Sequence, residues 1–448
     1  MNKNLLLLEI NECDFKFFEY GSKKYGYPNI KKFFLSKNTL DTYTNDNKEG
    51  YNLDPWVQWV SVHTGKLSKN HKIYRLGEKI NKNTDQIWDK LSKKKIKSSI
   101  WGAFNSSLRL RKSINFFFPD PWSFKEEAYP NNLNTFLKLP RYYAQNYPNI
   151  NKFKIIYLGI IFLVKIFLSK NFFYLFKNIF QLFKIFLISS LRSFNLYFFF
   201  DLMSLLVINN TLKTNRSDFT LIALNSFAHY QHNYWNDKKF EKIYFWYLNE
   251  MIKIIEQISK SYNSSLILNG FSQKKIKNEY YLRPKKPKKF FESLNLNFLN
   301  IEPNMTTGAI VYFNSFKDKT EAINKLKNIK IYDYSLFDIQ DFKNSKKIFY
   351  NFSLISKINK YHSKYLEKKN YKIFFRKPLN TSKNYNYSKK DKLIIDSILK
   401  NVIFMKSTSR HISKGKLFYN NFNFIKKDII KNKIHNIKIF NNILEHFK

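Results

Sequence analysis

The sequence predicts an α/β protein, because strand-like apolar runs alternate along the chain with helical and turn-rich segments. The runs LLLLEI (5–10) and SSIWGAF (98–104) have the length and composition of buried strands. Similar runs return in FTLIALNSF (219–227) and SSLILNGF (264–271), and the helical segment FEKIYFWYLNEMIKIIEQISKSY (240–262) separates them. Strands alternating with helices in this way favour an α/β organisation.

The composition indicates a folded, strongly basic protein. Its 448 residues are 44% hydrophobic and 19% aromatic, enough for one large domain or two to three ordinary ones. There are 78 Lys and Arg against 33 Asp and Glu, a formal net charge of +45. Such a charge attracts nucleic acid, anionic lipid headgroups, acidic glycans or phosphorylated substrates. The basic residues are spread along the chain without a zinc-finger or RNA-binding motif, so an anionic surface or substrate is favoured over nucleic acid.

Cysteine usage and the first residues bear on the compartment. Cys13 is the only cysteine, so an intramolecular disulfide and a Cys-based zinc site are both excluded. The apolar run in MNKNLLLLEINECD is too short for the core of a signal peptide, and acids follow it at once. We therefore expect a cytoplasmic protein, with a peripheral position at the inner face of the membrane as the alternative.

The segment 151–208 is almost wholly apolar and basic, and its first acid is Asp201. Five basic residues interrupt its uncharged runs: Lys165, Lys170, Lys177, Lys184 and Arg192. No run reaches the roughly 18 residues that a membrane-spanning helix needs. The lysines at 170, 177 and 184 recur every seven residues, which places them on one helix face. The segment is either a helical cap packed on the main domain or an interfacial element whose lysines meet anionic headgroups.

Two stretches in the first part of the chain could carry chemistry. In LLLLEINECD, Glu9, Asn11 and Glu12 stand at the exit of a buried strand, where carboxylates commonly line an α/β site; solvated loop acids are the alternative. In DPWVQWVSVHTG, Asp54 and the proline after it form a helix start. Gln58 follows one turn into that helix and could face the site.

Two later stretches contain histidines. In NSFAHYQHNYW (225–235), His229 and His232 are three positions apart, a spacing at which two imidazoles on a helix can converge on one ion. Packing is the alternative interpretation of this pair. In STSRHISKG (407–415), we expect His411, which follows Arg410, to lie in a polar loop before a strand-like run.

Together, and in this order, these stretches resemble the alkaline phosphatase superfamily, in its phosphodiesterase/nucleotide-pyrophosphatase and sulfatase-like branches. The motifs that carry the resemblance are VSVHTGKLSKNHKIYRLG, FFPDPW, NSFAHYQHNYW, SSLILNGFSQ and SRHISKG. The first is similar to the family's helix that ends in Thr-Gly before a histidine, and the second to its Pro-Asp-Pro-Trp loop. The third is similar to the Asp-x-x-x-His-x-x-Trp element that supplies two metal ligands. The last two fall where the Ser-Asp-His-Gly stretch and the final histidine ligand belong.

The resemblance implies a three-layer α/β/α sandwich with a mostly parallel central sheet, built from residues 1–150 and 209–448. Residues 151–208 would then be a helical cap insertion. The chain departs from the family at its usual ligands and nucleophile, which are replaced by Asn11, Pro55, Ala228, Leu268 and Asn269. Because these departures remove most ligands of one ion and the nucleophilic hydroxyl, the usual two-metal mechanism does not fit.

Two functions stay open. The first is a hydrolase of phosphate or sulfate esters, acting on an envelope glycan or lipid-linked intermediate and using one divalent ion, zinc or manganese. For it, the site residues that the resemblance implies are Asp54 and Glu9 in catalysis; His232, His411, His229 and Asn11 at the metal; and Gln58, Asn269 and Arg410 at the substrate. The second is a catalytically degenerate relative that binds an anionic small molecule, glycan, lipid or membrane surface without turnover. The oligomeric state cannot be inferred from the sequence.

Overall fold

The structure, a computed structural model, describes residues 3–44, 53–146, 150–167, 172–189, 192–303, 308–331, 334–352, 401–423 and 429–448. They group into two compact units. The first contains Met1–Gln145, Asn151–Lys275 and Ser409–Lys448, and the second contains Asn146–Ile150 and Ile276–Thr408. The sequence-based division kept 209–448 together in the main domain, whereas the structure groups Ile276–Thr408 with Asn146–Ile150 in the second unit.

Strands and helices alternate along the described chain. The strands are β1 (Leu5–Ile10), β2 (Asn38–Tyr43), β3 (Ser98–Trp101), β4 (Ile114–Phe118), β5 (Phe219–Leu224), β6 (Ser264–Leu268), β7 (Ser272–Pro284), β8 (Asn300–Pro303), β9 (Ala309–Tyr312), β10 (Lys330–Ile331), β11 (Tyr334–Ser335), β12 (Phe337–Asp341), β13 (Lys347–Phe352), β14 (Val402–Ile412), β15 (Lys414–Asn420) and β16 (Lys433–His435). The helices are α1 (Phe15–Tyr25), α2 (Pro28–Leu35), α3 (Pro55–Thr64), α4 (Ser68–His71), α5 (Ile87–Lys93), α6 (Asn134–Asn146), α7 (Lys152–Phe167), α8 (Phe172–Ser189), α9 (Ser193–Thr214), α10 (Ser226–Tyr234), α11 (Lys238–Ser259), α12 (Pro287–Ser293), α13 (Phe316–Asn328) and α14 (Lys438–His446).

An eight-stranded sheet forms the centre of the first unit, in the order β16-β2-β15-β6-β1-β5-β3-β4. The five strands from β6 to β4 run parallel to one another. β15 is antiparallel to both of its neighbours, β2 and β6. The predicted mostly parallel central sheet is therefore confirmed.

Helices cover both faces of this sheet, as the side chains of β1 show. Leu6 and Leu8 join a core that includes residues of α1, α9, α10 and α11. Leu5 and Leu7 point to the opposite face, where they pack in a core with residues of α3, α5 and α14. A strand buried on both faces is a near-continuous apolar run, as LLLLEI is. Two cores on opposite faces of one sheet confirm the three-layer α/β/α sandwich.

The described part of 151–208 consists of helices packed on the first of these cores. Phe162 of α7, Leu182 of α8 and Phe198 of α9 are all buried in it. Within the described residues, no helix is both long enough and apolar enough to span a bilayer. Lys170, one of the three lysines spaced by seven, lies outside the described residues.

The second unit contains a four-stranded antiparallel sheet, in the order β12-β13-β9-β8. Phe290 and Phe291 of α12, Leu326 of α13 and Tyr350 of β13 are buried in its separate core. β7 and β14 pair with each other, and their residues 272–275 and 409–412 belong to the first unit.

Candidate metal centre

The candidate site lies at the carboxyl ends of β1, β5 and β6, which meet at one edge because these strands are parallel and adjacent. Two backbone hydrogen bonds continue the pairing of β1 beyond its last residue. The amide of Asn11 donates to the carbonyl of Leu224 at 3.0 Å, and the amide of Glu12 donates to the carbonyl of Asn269 at 3.1 Å. Glu12 is thereby fixed at this edge of the sheet.

Glu12 is held in an unusual backbone conformation. Its φ of 54° lies in the left-handed region, and the residue as a whole is only 1% exposed. A residue with a Cβ atom pays roughly 1–2 kcal/mol for this conformation. Strained backbone of this kind clusters at functional sites, where the surrounding structure maintains it.

The carboxylate of Glu12 meets two histidines from different elements. Glu12 Oε2 lies 2.8 Å from Nε2 of His232, on α10, and 2.8 Å from Nε2 of His411, on β14. The two Nε2 atoms are 3.3 Å apart. Ligand atoms of a tetrahedral zinc ion, each about 2.0–2.1 Å from the metal, are roughly 3.4 Å from one another. The three side chains therefore bring together donor atoms that could hold a divalent metal: the two Nε2 atoms have this separation, and Glu12 Oε2 lies at hydrogen-bond distance from both. Two histidines with one glutamate are a ligand set of catalytic zinc sites.

Neighbouring side chains orient this cluster. Ser409 Oγ donates to Oε1 of Gln273 at 2.6 Å, so its oxygen is left to accept a hydrogen bond from Nδ1 of His232 at 3.2 Å. Gln273 Nε2 in turn donates to Glu12 Oε2 at 2.8 Å. With Nδ1 of His232 donating to Ser409, Nε2 is the ring nitrogen available to a metal, which is the arrangement that a metal ligand needs. In the metal-free protein Nε2 lies at hydrogen-bond distance from Glu12 Oε2.

Electrostatics also indicate that the cluster needs a positive charge. Burial alone would raise the pKa of Glu12, but His411 and His232 hold it well below its usual value. Burial alone would lower the pKa of His411, but Glu12, Asp54 and a hydrogen bond with the Leu53 backbone raise it to about 9. Without a metal, a protonated histidine balances the buried carboxylate; a divalent ion could take over that role.

Asp54 is placed where the sequence predicted it, at the N-cap of α3. Its Oδ1 lies 3.9 Å from Nδ1 of His411, the ring nitrogen that faces away from Glu12. Burial raises the pKa of Asp54 to about 7; His411 opposes this shift and Glu12 adds to it. The carboxyl group can therefore gain or lose a proton near neutral pH.

Two of the four predicted metal ligands, His232 and His411, come together, and the other two contribute no ligand atom to the cluster. Asn11 Oδ1 accepts a hydrogen bond from Trp59 Nε1 at 2.7 Å, and Glu12, the next residue, reaches the histidines instead. His229 stacks on Tyr197 with ring centroids 3.6 Å apart, and its Nε2 lies 3.3 Å from Nδ2 of Asn225. Burial lowers the pKa of His229 to about 3, so this imidazole is neutral.

The remaining predicted residues take other positions. Glu9 is fully buried on β1, and its Oε1 lies 2.7 Å from Nε2 of His63 on α3. Gln58 is fully buried in α3, and Arg410 is exposed on β14. Asn269 donates from Nδ2 to the carbonyl of Cys13 and accepts from the Lys416 amide, both at 2.8 Å, so it connects backbone segments around the site.

Gln273 and Ser409 were missed by the sequence analysis. Ser409 could have been found by strand alternation, because it precedes His411 by two residues and therefore shares its face of β14. Gln273 follows no such rule, since its contact with Glu12 depends on the pairing of β7 with β14.

No protein-family model and no curated protein matches the sequence. The structure is similar to murine ectonucleotide pyrophosphatase/phosphodiesterase 5, with 8% identity and a TM-score of 0.44 over 99% of this chain and 94% of that chain. It is similar to phosphonoacetate hydrolase from Sinorhizobium meliloti 1021, with 8% identity and a TM-score of 0.42 over 99% and 96% of the two chains. It is also similar to the alkaline phosphatase PafA, with 10% identity and a TM-score of 0.40 over 98% and 94%.

Proposed function

We propose that this protein is a metal-dependent hydrolase of phosphate or sulfate esters, with one divalent ion bound by Glu12, His232 and His411. The observation that carries the proposal is the convergence of their three donor atoms, between 2.8 and 3.3 Å from one another. The donor set of two imidazoles and a carboxylate suits zinc or manganese. Three protein ligands leave a position open for water or substrate.

The metal and the protein have separate tasks in this proposal. A divalent ion bound here would lower the pKa of a water molecule and stabilise the negative charge that develops on the transferring group. Asp54 is assigned the proton transfer, because its pKa of about 7 lets it act as a base or an acid near neutral pH. Ser409 and Gln273 hold His232 and Glu12 in place. Glu9 is assigned no proton transfer, because its carboxylate is hydrogen-bonded to His63.

The substrate class that we propose is an anionic ester on a glycan or a lipid-linked intermediate. The formal net charge of +45 supports an anionic substrate, since such a charge raises the local concentration of anions. That the ester group is attached to a glycan or a lipid is inferred from the sequence resemblance together with this charge.

A catalytically degenerate binding protein is the second candidate. One observation favours it: Pro55, which has no hydroxyl group, is the first residue of α3, where the sequence resemblance places the nucleophile. Hydrolysis would then require direct attack by water. Ligand binding without turnover would require only the cluster and the basic surroundings.

Metal content and turnover, measured on the same preparations, test the proposal. Plasma mass spectrometry of protein purified without chelator should find about one equivalent of metal in the wild type, none in the His232→Ala, His411→Ala variant, and wild-type content in His229→Phe. p-Nitrophenyl phosphate, its bis-phosphodiester and p-nitrophenyl sulfate are the probes for turnover. Asp54→Asn should retain the metal and lose roughly 100-fold or more in rate.

Each outcome decides between the candidates. A wild-type protein that holds no metal, even after incubation with zinc or manganese, would contradict the metal site. Metal without turnover of any of the three probes would favour the binding protein. Loss of metal in His229→Phe would restore the ligand set predicted from the sequence.

A further inference from the structure

The outward faces of α7 and α8 expose many large apolar side chains. Phe153 is 85% exposed, Phe173 81% and Phe180 86%. The others on these faces are Ile156, Tyr157, Ile160, Val164, Phe176, Ile179, Phe183, Leu187 and Ile188. Together these twelve residues form the outward apolar face.

The outward apolar face is distinct from the buried side of α7 and α8, which packs in the core of the first unit. Leu182 and Ile185 of α8 are buried in the core of the first unit. Phe173, Phe176, Phe180, Phe183 and Leu187 recur at intervals of three, four, three and four, which aligns them on one side of α8. On α7, Phe162 and Ile166 are buried, while Phe153, Tyr157, Ile160 and Val164 are exposed. Both helices are thus packed on one side and remain apolar on the other.

The outward apolar face is too large to be an ordinary patch. A fully exposed aromatic or aliphatic side chain of this size contributes roughly 150–200 Å², so twelve residues at these exposures present on the order of 1,000 Å². The largest apolar patch on a typical monomer is roughly 300–600 Å², and larger ones mark interaction sites.

The charges beside this face identify its partner. Exposed lysines stand along both helices: Lys152, Lys154, Lys165, Lys177 and Lys184. The described residues of α7 and α8 include no Asp or Glu. Lys177 and Lys184 are seven residues apart, so they align along one flank of the α8 stripe. A second copy of the chain would bring the same lysines, and a net charge of the same sign, against them.

We propose that α7 and α8 dock the protein on the surface of an anionic lipid bilayer. The helices lie in the plane of the membrane, their aromatic side chains enter the boundary between headgroups and acyl chains, and their lysines contact anionic headgroups. This mode matches helices that are apolar on the outside yet too short or too charged to span a bilayer. The docking is independent of the proposed hydrolysis, because none of its residues touches Glu12, His232 or His411 in the contacts described above.

Vesicle flotation with the full-length protein tests this docking. The probes are vesicles of phosphatidylcholine alone and of equal parts phosphatidylcholine and phosphatidylglycerol. The wild type should float with the anionic vesicles at least about tenfold more than with the neutral ones, and high salt should reduce this binding. The triple variant Phe176→Ser, Phe180→Ser, Phe183→Ser should lose about tenfold or more of it.

Matched controls separate docking from misfolding and from self-association. The control variant Leu35→Ser, Leu299→Ser, Phe316→Ser changes three exposed apolar residues elsewhere and should float like the wild type. Circular dichroism and metal content should be unchanged in both triple variants, because all six side chains are exposed. The proposal is overturned if the wild type does not float, or if the α8 variant floats as well as the control. It is also overturned if light scattering finds a lipid-free dimer that only the α8 variant dissociates, since a second copy would then occupy the face.

Discussion

Glu12 is the residue on which the candidate metal centre depends. Its Oε2 contacts His232, His411 and Gln273 at 2.8 Å each, and its Oε1 accepts from Asn11 at 3.1 Å. No other described side chain joins both histidines in a cluster of possible metal ligands. The single charge at this position therefore determines whether a cation can be held.

Replacing Glu12 by Gln should remove most of the metal affinity. The amide keeps the shape of the side chain but lacks the negative charge, so we expect a loss larger than the roughly 10–100-fold that outer-shell changes cause. Isothermal titration with zinc measures the affinity, and Glu19→Gln, at an exposed acid, is the control. Equal affinities for the two variants would show that Glu12 is not a ligand.

Ser409→Ala tests the orientation of His232 separately from the ligands themselves. The variant leaves Nδ1 of His232 without its hydroxyl partner, and affinity should fall by about 10–100-fold. Ser409→Thr retains a hydroxyl and should recover most of the affinity. If alanine and threonine behave alike, the hydroxyl has no orienting role.

Metal binding should depend on pH through His411. Its pKa of about 9 in the metal-free protein lies above that of an ordinary histidine, so a proton occupies the ring at pH 7 and must leave when a metal binds. Affinity should therefore rise by roughly tenfold per pH unit between pH 7 and 9 and level off above that range. Titration in buffers of different ionisation enthalpy counts the protons released; a pH-independent affinity with no proton release would contradict this.

At this scale the sequence predicted the histidines better than their partners. His232 and His411 were identified because the motifs around them are local. Glu12 was recognised as an acid at the strand exit, but Asn11 was assigned the ligand position, since a shift of one residue in a turn cannot be read from spacing. The left-handed conformation of Glu12, which turns its side chain into the site, depends on backbone pairing with β5 and β6.

Among the elements, α3 is connected to β1 by a buried polar pair. Glu9 and His63 are both fully buried with 2.7 Å between Oε1 and Nε2. Within the described residues, Glu9 Oε2 and His63 Nδ1 have no hydrogen-bond partner. The pair positions the helix that carries Asp54. Because both side chains are buried away from water, each provides the other's hydrogen bond.

Replacing one member of this pair should lower the free energy of unfolding more than replacing both members. His63→Leu leaves the Glu9 carboxyl group buried without its partner and should lower the free energy of unfolding by about 3–5 kcal/mol. The double variant Glu9→Leu, His63→Leu should be clearly more stable than His63→Leu alone, because no polar group is left unpaired. Urea unfolding of the wild type, His63→Leu, Glu9→Leu and the double variant measures the difference, and additive effects of the two changes would refute the coupling.

For the molecule as a whole, the formal net charge of +45 is the dominant electrostatic feature. Like charges repel more in the compact state than in the expanded one, and salt screens this repulsion with a Debye length of about 8–10 Å at 0.1–0.15 M. The temperature of unfolding should therefore rise between low and moderate sodium chloride. Differential scanning calorimetry on metal-free protein gives the measurement, and a lower unfolding temperature with added salt would contradict self-repulsion.

The two-unit organisation shows what sequence patterns could not predict at this scale. Four strands of the central sheet, β1, β3, β5 and β6, are contiguous apolar runs that the sequence predicted, and the mostly parallel arrangement was implied by the resemblance. Residues 276–408 are rich in Lys and Asn, and the strands of their separate sheet are short and half-exposed. Their core forms only when side chains far apart in the sequence, such as Phe290 and Tyr350, pack together.

The burial of α9 has a consequence for how this chain could be shortened in evolution or in the laboratory. Phe194, Phe198 and Leu202 fill the same core as β1 and α10, so removing 151–208 would take out part of the interior together with the outward helices. A protein that lacks 151–208 would be expected to unfold, so its behaviour would not show what the outward helices alone contribute. In related sequences, the two sides of each helix should therefore vary differently. Outward positions of α7 and α8 can change with the surface that the protein contacts. Inward positions can change only together with the core residues that they pack against.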